Sequence, residues 1–276
     1  MRTLYALPLL LLTATAAQAR DCRFEAPRDL QLDLAGVSTL IVELGRHEIR
    51  LTGAGDGDGM VRGRACASAQ DYLDDLQIVQ ERQCDRLVLR AEHRKPDRKV
   101  FVLFGKHYEY LTMDVRVPER LTVELQVGSG DAWIEGVAAL DTTIGSGDVE
   151  VRRIAGELQA RVGSGDLEAR DVGSLRLRSV GSGDVTVERI RGDASVGSIG
   201  SGDVALREVG GNVEVGSIGS GDLVLRGVRG SVSVDSLGSG DISARDVDGD
   251  FRLRSKGSGD VSLAGIGGQT LLPRKR

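Results

Sequence analysis

The stretch Val196–Gly230 reads VGSIGSGDVALREVGGNVEVGSIGSGDLVLRGVRG. Its heptapeptide GSIGSGD, at 197–203, returns unchanged at 216–222, nineteen residues on. The residues between the two copies drift in identity but keep their apolar and polar alternation. A fixed turn joined to drifting strands is the mark of a stacked repeat, because each unit meets the same neighbour in the same way.

Extending the register in both directions finds GSGD eight times, starting at Gly128, Gly145, Gly163, Gly181, Gly200, Gly219, Gly238 and Gly257. The steps are 17, 18, 18, 19, 19, 19 and 19 residues. With each Asp of GSGD as origin, the next residue is Ala132, Val149, Leu167, Val185, Val204, Leu223, Ile242 or Val261. Three places on, the column reads Ile134, Val151, Ala169, Val187, Leu206, Leu225, Ala244 and Leu263; six places on, it reads Val137, Ile154, Val172, Ile190, Val209, Val228, Val247 and Ile266. Polar or mixed residues separate these columns, as in a strand with one buried face. A second corner follows at Gly192, Gly211, Gly230 and Gly249, and then a second apolar strand such as Val213, Val215 and Ile218. No helical period is present. The pattern predicts an all-β parallel β-helix, or β-solenoid, with coils of 17–19 residues and two short strands per coil. The crossover rule for parallel strands predicts right-handed winding.

Residues 128–268 therefore form the regular solenoid. Residues 20–127 are expected to be an irregular β region that caps its end, since an uncapped solenoid exposes strand edges and core. VELGRHEIRLTG (42–53) aligns with LQVGSGDAWIEG (125–136) and reads as a worn first coil. AQDYLDDL (69–76) reads as a short helix capped by Ser68, LQIVQERQCDRLVLRAE as a hairpin turning at Cys84, and YLTMDVRVP as a strand. GAGDGDGM (53–60), with Asp56 and Asp58, lacks the closing glutamate of a calcium loop and reads as a hairpin tip.

The ends describe an exported chain. Arg2, the apolar run Leu4–Leu12 and Ala17-Gln18-Ala19 form a cleavable signal peptide over 1–19, too short in its apolar part to serve as a membrane span. Asp21 stands where a lipid-attachment site needs a small residue before Cys22. Residues 269–276 form a basic tail ending Arg274-Lys275-Arg276. The expected location is extracytoplasmic, periplasmic or at the cell surface, with no integral membrane segment after cleavage. Thirty-six basic and 41 acidic residues give a net charge of −5 with the signs interspersed, so no basic footprint for nucleic acid is present.

Three cysteines, Cys22, Cys66 and Cys84, allow one disulfide in an oxidising compartment. Of three pairings, Cys22–Cys66 is favoured because it pins the mature N-terminus. No CxxC spacing exists, and His47, His93 and His107 are scattered, so no cofactor, metal site or catalytic residue is expected.

The turn itself has two readings. Its glycines would permit positive φ at a tight corner, and its Ser and Asp would bond the corner's own backbone. Stacking also places Asp131, Asp148, Asp166, Asp184, Asp203, Asp222, Asp241 and Asp260 in one column. Carboxylates about 4.8 Å apart repel by about 1 kcal/mol even at water's dielectric constant. Backbone N–H donors, outward orientation or a ladder of bound cations must offset that. Arg191-Gly192-Asp193 spells RGD but sits at the ordinary second corner.

The signal peptide, LQVGSGDAWIEGV and the serial GSIGSGD coils resemble the bacterial DUF4097 family of adhesin-type β-strand repeat proteins, most specifically from Leu121 to Gly268. The resemblance implies an exported, non-enzymatic β-solenoid and carries over no catalytic residue. The functional expectation is adhesion or envelope-associated binding of a protein or glycan ligand. A self-associating scaffold or envelope-sensing module is the alternative, and a polysaccharide-acting β-helix enzyme a remote one.

Overall fold

The computed structural model describes residues 22–94 and 108–274. The signal peptide, His107, Lys275 and Arg276 lie outside the described residues. The N-terminal strands are β1 (Phe24–Pro27), β2 (Leu30–Gln31), β3 (Thr39–Gly45), β4 (Glu48–Gly53), β5 (Met60–Ala67), β6 (Leu76–Gln83), β7 (Arg86–His93) and β8 (Glu109–Val117), with helix α1 (Gln70–Asp75) between β5 and β6. The coils follow as β9 (Thr122–Val127), β10 (Ala132–Glu135), β11 (Ala139–Ile144), β12 (Val149–Val162), β13 (Leu167–Val180), β14 (Val185–Ile190), β15 (Ala194–Ile199), β16 (Val204–Val209), β17 (Val213–Ile218) and β18 (Leu223–Val228). The last are β19 (Val232–Leu237), β20 (Ile242–Val247), β21 (Phe251–Lys256), β22 (Val261–Ile266) and β23 (Thr270–Leu271).

Two parallel ladders run the length of the molecule. The first is β4–β10–β12–β13–β14–β16–β18–β20–β22, and the second is β3–β9–β11–β12–β13–β15–β17–β19–β21–β23. The long strands β12 and β13 belong to both, with a register shift between Ile154 and Glu157 where the second corner lies. From β14 onward each strand pairs with the one a coil later at an offset of nineteen, for example Val204↔Leu223 and Val213↔Val232. The chain is a parallel β-solenoid.

The inward columns make one core. Val185, Val187, Ile190, Val204, Leu206 and Val209 are all buried, as are their counterparts from Ile49 to Val247. Each such side chain contributes about 1.5–3 kcal/mol by leaving water. Among the aromatics of the repeats, Phe251 is fully buried, stacked on Val232, and Trp133 points outward. The inward columns advance by two and then by three residues, and a plain strand cannot keep one face inward over a step of three. The extra residue is taken up by left-handed backbone five places after each Asp: Gly136, Arg153, Asp171, Arg189, Glu208, Gly227, Asp246 and Gly265 have φ between 53° and 75°. This outward bulge of the backbone recurs in every coil in register with its neighbours, and it turns two successive side chains outward.

At the N-terminal end β3 and β4 stack on β9 and β10 with Val42↔Leu125, Ile49↔Ala132 and Leu51↔Ile134, the register given by aligning 42–53 with 125–136. The first ladder then continues through β8 to antiparallel β5, β1 and β2, and the second through β7 to antiparallel β6. The β6–β7 hairpin turns at Cys84, which has φ of 58° and is exposed. Cys22 and Cys66 form the disulfide, tying the segment before β1 to β5.

Two local expectations are corrected. Helix α1 begins after Ala69 and has no side-chain cap, because the Ser68 hydroxyl accepts instead from the Tyr108 N–H at 3.3 Å. The 53–60 segment is not a hairpin tip: β8 lies between β4 and β5, so the segment crosses the end of β8, with Ala54 N–H donating to the Val117 carbonyl at 3.1 Å.

Candidate functional site

The repeated GSGD turn forms the first corner of each coil. None of its glycines has positive φ, so the expected conformational reason for glycine is overturned. The constraint is contact between coils. A Cβ on the second glycine, from Gly130 to Gly259, would stand 1.7–2.0 Å from the carbonyl oxygen of its counterpart one coil earlier. A Cβ on the first glycine would meet the preceding coil's carbonyl oxygen at 2.5–2.8 Å. The corner carries glycine because backbone lies directly on backbone.

The aspartates complete the corner. The N–H of each donates to Oδ1 of the Asp one coil earlier, from Asp148 on Asp131 to Asp260 on Asp241, at 2.7–3.3 Å. The carbonyl of each accepts the N–H that follows the previous Asp, as in Val204 N–H to Asp222 O at 2.9 Å. The carboxylate thus bonds the next coil's backbone rather than its own turn. Backbone N–H donors supply an offset to the repulsion along the column, one hydrogen bond to a charged acceptor per coil.

The second corner carries the same device in other residues. Asn212 N–H donates to Asp193 Oδ1 at 2.7 Å, Ser231 N–H to Asn212 Oδ1 at 2.9 Å, Asp250 N–H to Ser231 Oγ at 3.1 Å and Gln269 N–H to Asp250 Oδ1 at 2.8 Å. The RGD tripeptide is absorbed into this corner: Asp193 is a rung, and Arg191 donates to the carbonyls of Ile154 and Ala155 at 3.0 and 2.7 Å. Sequence reasoning missed this ladder because its acceptor varies among Asp, Asn and Ser. Its signal was a small side chain with an oxygen acceptor directly after the corner glycine.

Residues 156–265 match the family model Toastrack DUF4097. This stretch, the later coils of the solenoid, is similar to that family. Among solved structures, a "putative adhesin" of Bacteroides fragilis aligns over 90% of this chain and 98% of its own at 18% identity, with a TM-score of 0.46. A "putative lipid binding protein" of Parabacteroides distasonis aligns over 90% and 97% at 17% identity, with a TM-score of 0.49. A "putative adhesin" of the same species aligns over 87% and 97% at 17% identity, with a TM-score of 0.48. No curated protein matches the chain.

Outside the corners, the solenoid presents patterned faces. Four places after each Asp, in register across the first ladder, stand Arg152, Arg170, Glu188, Arg207, Arg226 and Arg245. Glu188 serves two neighbours, Arg207 at 2.8 Å and Arg170 at 3.5 Å. Arg226 and Arg245 have no ion-pair partner among the described residues. Beside this row the bulge column holds Asp171 and Arg189 in a bidentate pair at 2.6 and 2.9 Å, and the guanidinium keeps the Asp171 carboxyl below its usual range. Where that column reaches Gly227, a groove of about 530 Å³ opens between Arg189, Glu208, Arg229 and Asp246.

Among the described residues the histidines belong to no metal-binding group. His47 is buried at the first corner of the first coil, in the place of the second GSGD glycine, and its Nδ1 accepts the Leu111 N–H at 3.1 Å. Burial, with Arg46 and His93 nearby, pushes its pKa down to about 4. His93 Nε2 lies 2.9 Å from Glu109, which Arg46 also reaches at 2.6 Å. Among the described residues no group of His, Cys, Asp and Glu is placed to hold a metal ion.

Proposed function

We propose that the protein is a non-enzymatic, extracytoplasmic binding solenoid of adhesin type that engages an envelope or surface ligand. The observation that carries this reading is the outer face of the first ladder. It is continuous from β5 through β8 and β4 to β22, its frame is fixed by hydrogen bonds at both corners, and it holds Arg226 and Arg245, which have no ion-pair partner among the described residues. A face whose backbone frame is already fixed suits recognition, since no backbone ordering cost remains on contact. The Cys22–Cys66 disulfide supports an oxidising compartment, and the signal-peptide expectation agrees with it. The test is localisation combined with capture by immobilised mature protein. Retention of envelope components by an extracytoplasmic protein is the expected result. A cytosolic protein that retains none overturns the reading.

A second reading, self-association at the C-terminal end, rests on the last coil. Val261, Leu263 and Ile266 are only partly buried, whereas Ile242, Ala244 and Val247 one coil earlier are at 1% exposure or less. Leu271 and Leu272 are exposed beside them. A second copy seated on this end would cover that apolar surface. Sedimentation as a monodisperse monomer at high concentration overturns this reading.

A further inference from the structure

The chain has a single tryptophan, and the fold spends it on the surface. Trp133 stands two places after Asp131 on the outer face of β10, between Arg50 of β4 and Glu150 of β12, and it is 36% exposed. The Arg50 guanidinium lies 5.6 Å from the ring centroid. Later coils fill the same column with Glu150, Glu168, Thr186, Ala205, Val224 and Ser243, so coil stacking does not require a ring there. A partly exposed aromatic on a rigid sheet, with a guanidinium over the ring and polar groups around its rim, is a platform for a ligand that has an apolar face of its own.

The ring borders a groove of about 240 Å³ that also takes in Thr52, Glu135 and Arg152. Arg50 and Thr52 also line a second depression of about 210 Å³, toward β8 and β5, which adds Asp58, Arg62, Asp114 and Arg116. The two form one strip across β12, β10, β4, β8 and β5, about 19 Å long at strand spacing. Its charges balance: Arg50, Arg62, Arg116 and Arg152 face Asp58, Asp114, Glu135 and Glu150. A balanced strip gives no net attraction to a phosphate-rich or sulfated polymer. Alternating guanidinium and carboxylate groups instead offer paired donors and acceptors, the complement of vicinal hydroxyls.

We propose that this strip binds an uncharged oligosaccharide, with one sugar ring stacked on Trp133 and hydroxyls bonded by the flanking charged side chains. The inference rests on the binding reading above and assigns that reading a site and a ligand class.

Because Trp133 is the only tryptophan, its emission reports the site directly. The intact mature chain is titrated with neutral hexaoses of the gluco, manno, xylo and N-acetylchito series. The expected result is a saturable emission change with at least one of them. Trp133→Ala, followed by calorimetry with that sugar, should weaken binding at least tenfold with an unchanged melting midpoint. Asp114→Asn, which leaves the ring in place, should weaken it severalfold. The proposal is overturned if no hexaose changes the emission, if Trp133→Ala binds as tightly as the parent, or if only heparin or polyphosphate binds. Capture of envelope components by Trp133→Ala at the parent's level overturns this site and leaves the broader reading standing. Loss of capture by the parent itself overturns both.

Discussion

Each coil turns twice, and the two corners solve one problem with different tolerance. At both, a side-chain oxygen accepts the N–H of the next coil. At the first corner the second glycine lies against backbone, 1.9 Å from virtual Cβ to carbonyl oxygen at Gly202. At the second, Gly211, Gly230 and Gly249 meet the rung side chains of Asp193, Asn212 and Ser231 at 2.2–2.5 Å and the preceding coil's backbone only at 2.5–2.8 Å, and Gly192 has its nearest neighbour at 3.1 Å. Backbone cannot be exchanged, so the first corner stays GSGD throughout. A side chain can, so the second drifts through Asp, Asn and Ser. Constancy at the first corner is thus a packing requirement, and the candidate binding surface lies on the faces between corners.

The largest test of this contrast is a pair of substitutions. Gly202→Ala forces the coils apart and should cost about 3 kcal/mol or more. Gly192→Ala, at the roomier corner, should cost about 1 kcal/mol or less, and chemical denaturation midpoints of the two variants compare them. Equal losses would break the contrast.

The second test concerns the place where the first corner begins. His47 occupies a glycine position there and is kept neutral by burial, with a folded-state pKa of about 4 against the usual 6.5. Its depressed pKa means that the contribution is whole above pH 6.5 and is lost as pH falls through 4. Stability should therefore drop by about 3 kcal/mol across that window, and His47→Gln should flatten the curve.

Smaller effects sharpen the ladder itself. Asp203→Ala removes the acceptor of the Asp222 N–H and should cost about 1 kcal/mol. Asp203→Asn keeps an acceptor oxygen and removes a charge from the column, so its melting midpoint should match or exceed the parent's, more so at low salt. Thr142 is a control away from both corners. Its hydroxyl is buried without a partner in a column continued by Leu125 and Ala160, so Thr142→Val should stabilise by about 1 kcal/mol in thermal melts.

The architecture was legible because spacing alone carries it. The GSGD period and the three inward columns place the first ladder, and the alignment of 42–53 with 125–136 places the first coil. Other features left weaker traces. The bulge was present as the three-residue step from Val187 to Ile190, yet Arg189 and Glu208 in left-handed backbone resemble no turn signal. The reason for the glycines was out of reach, because Gly202 is constrained by Gly183, nineteen residues away, through a contact that exists only once coils stack. Trp133 was visible as the one aromatic in its column, but its groove is assembled with β4, β5 and β8, whose order in the sheet follows from no local pattern.

The central claim is that the GSGD aspartate holds the next coil's backbone. Amide hydrogen exchange at Asp222, in the parent and in Asp203→Ala, tests it most directly. The ladder predicts a protected Asp222 amide whose exchange speeds up about fivefold to tenfold in the variant, while the Leu223 amide, bonded to the Asp241 carbonyl, changes less. An Asp222 amide that exchanges in the parent as fast as an open loop, or at the same rate in both proteins, would contradict it.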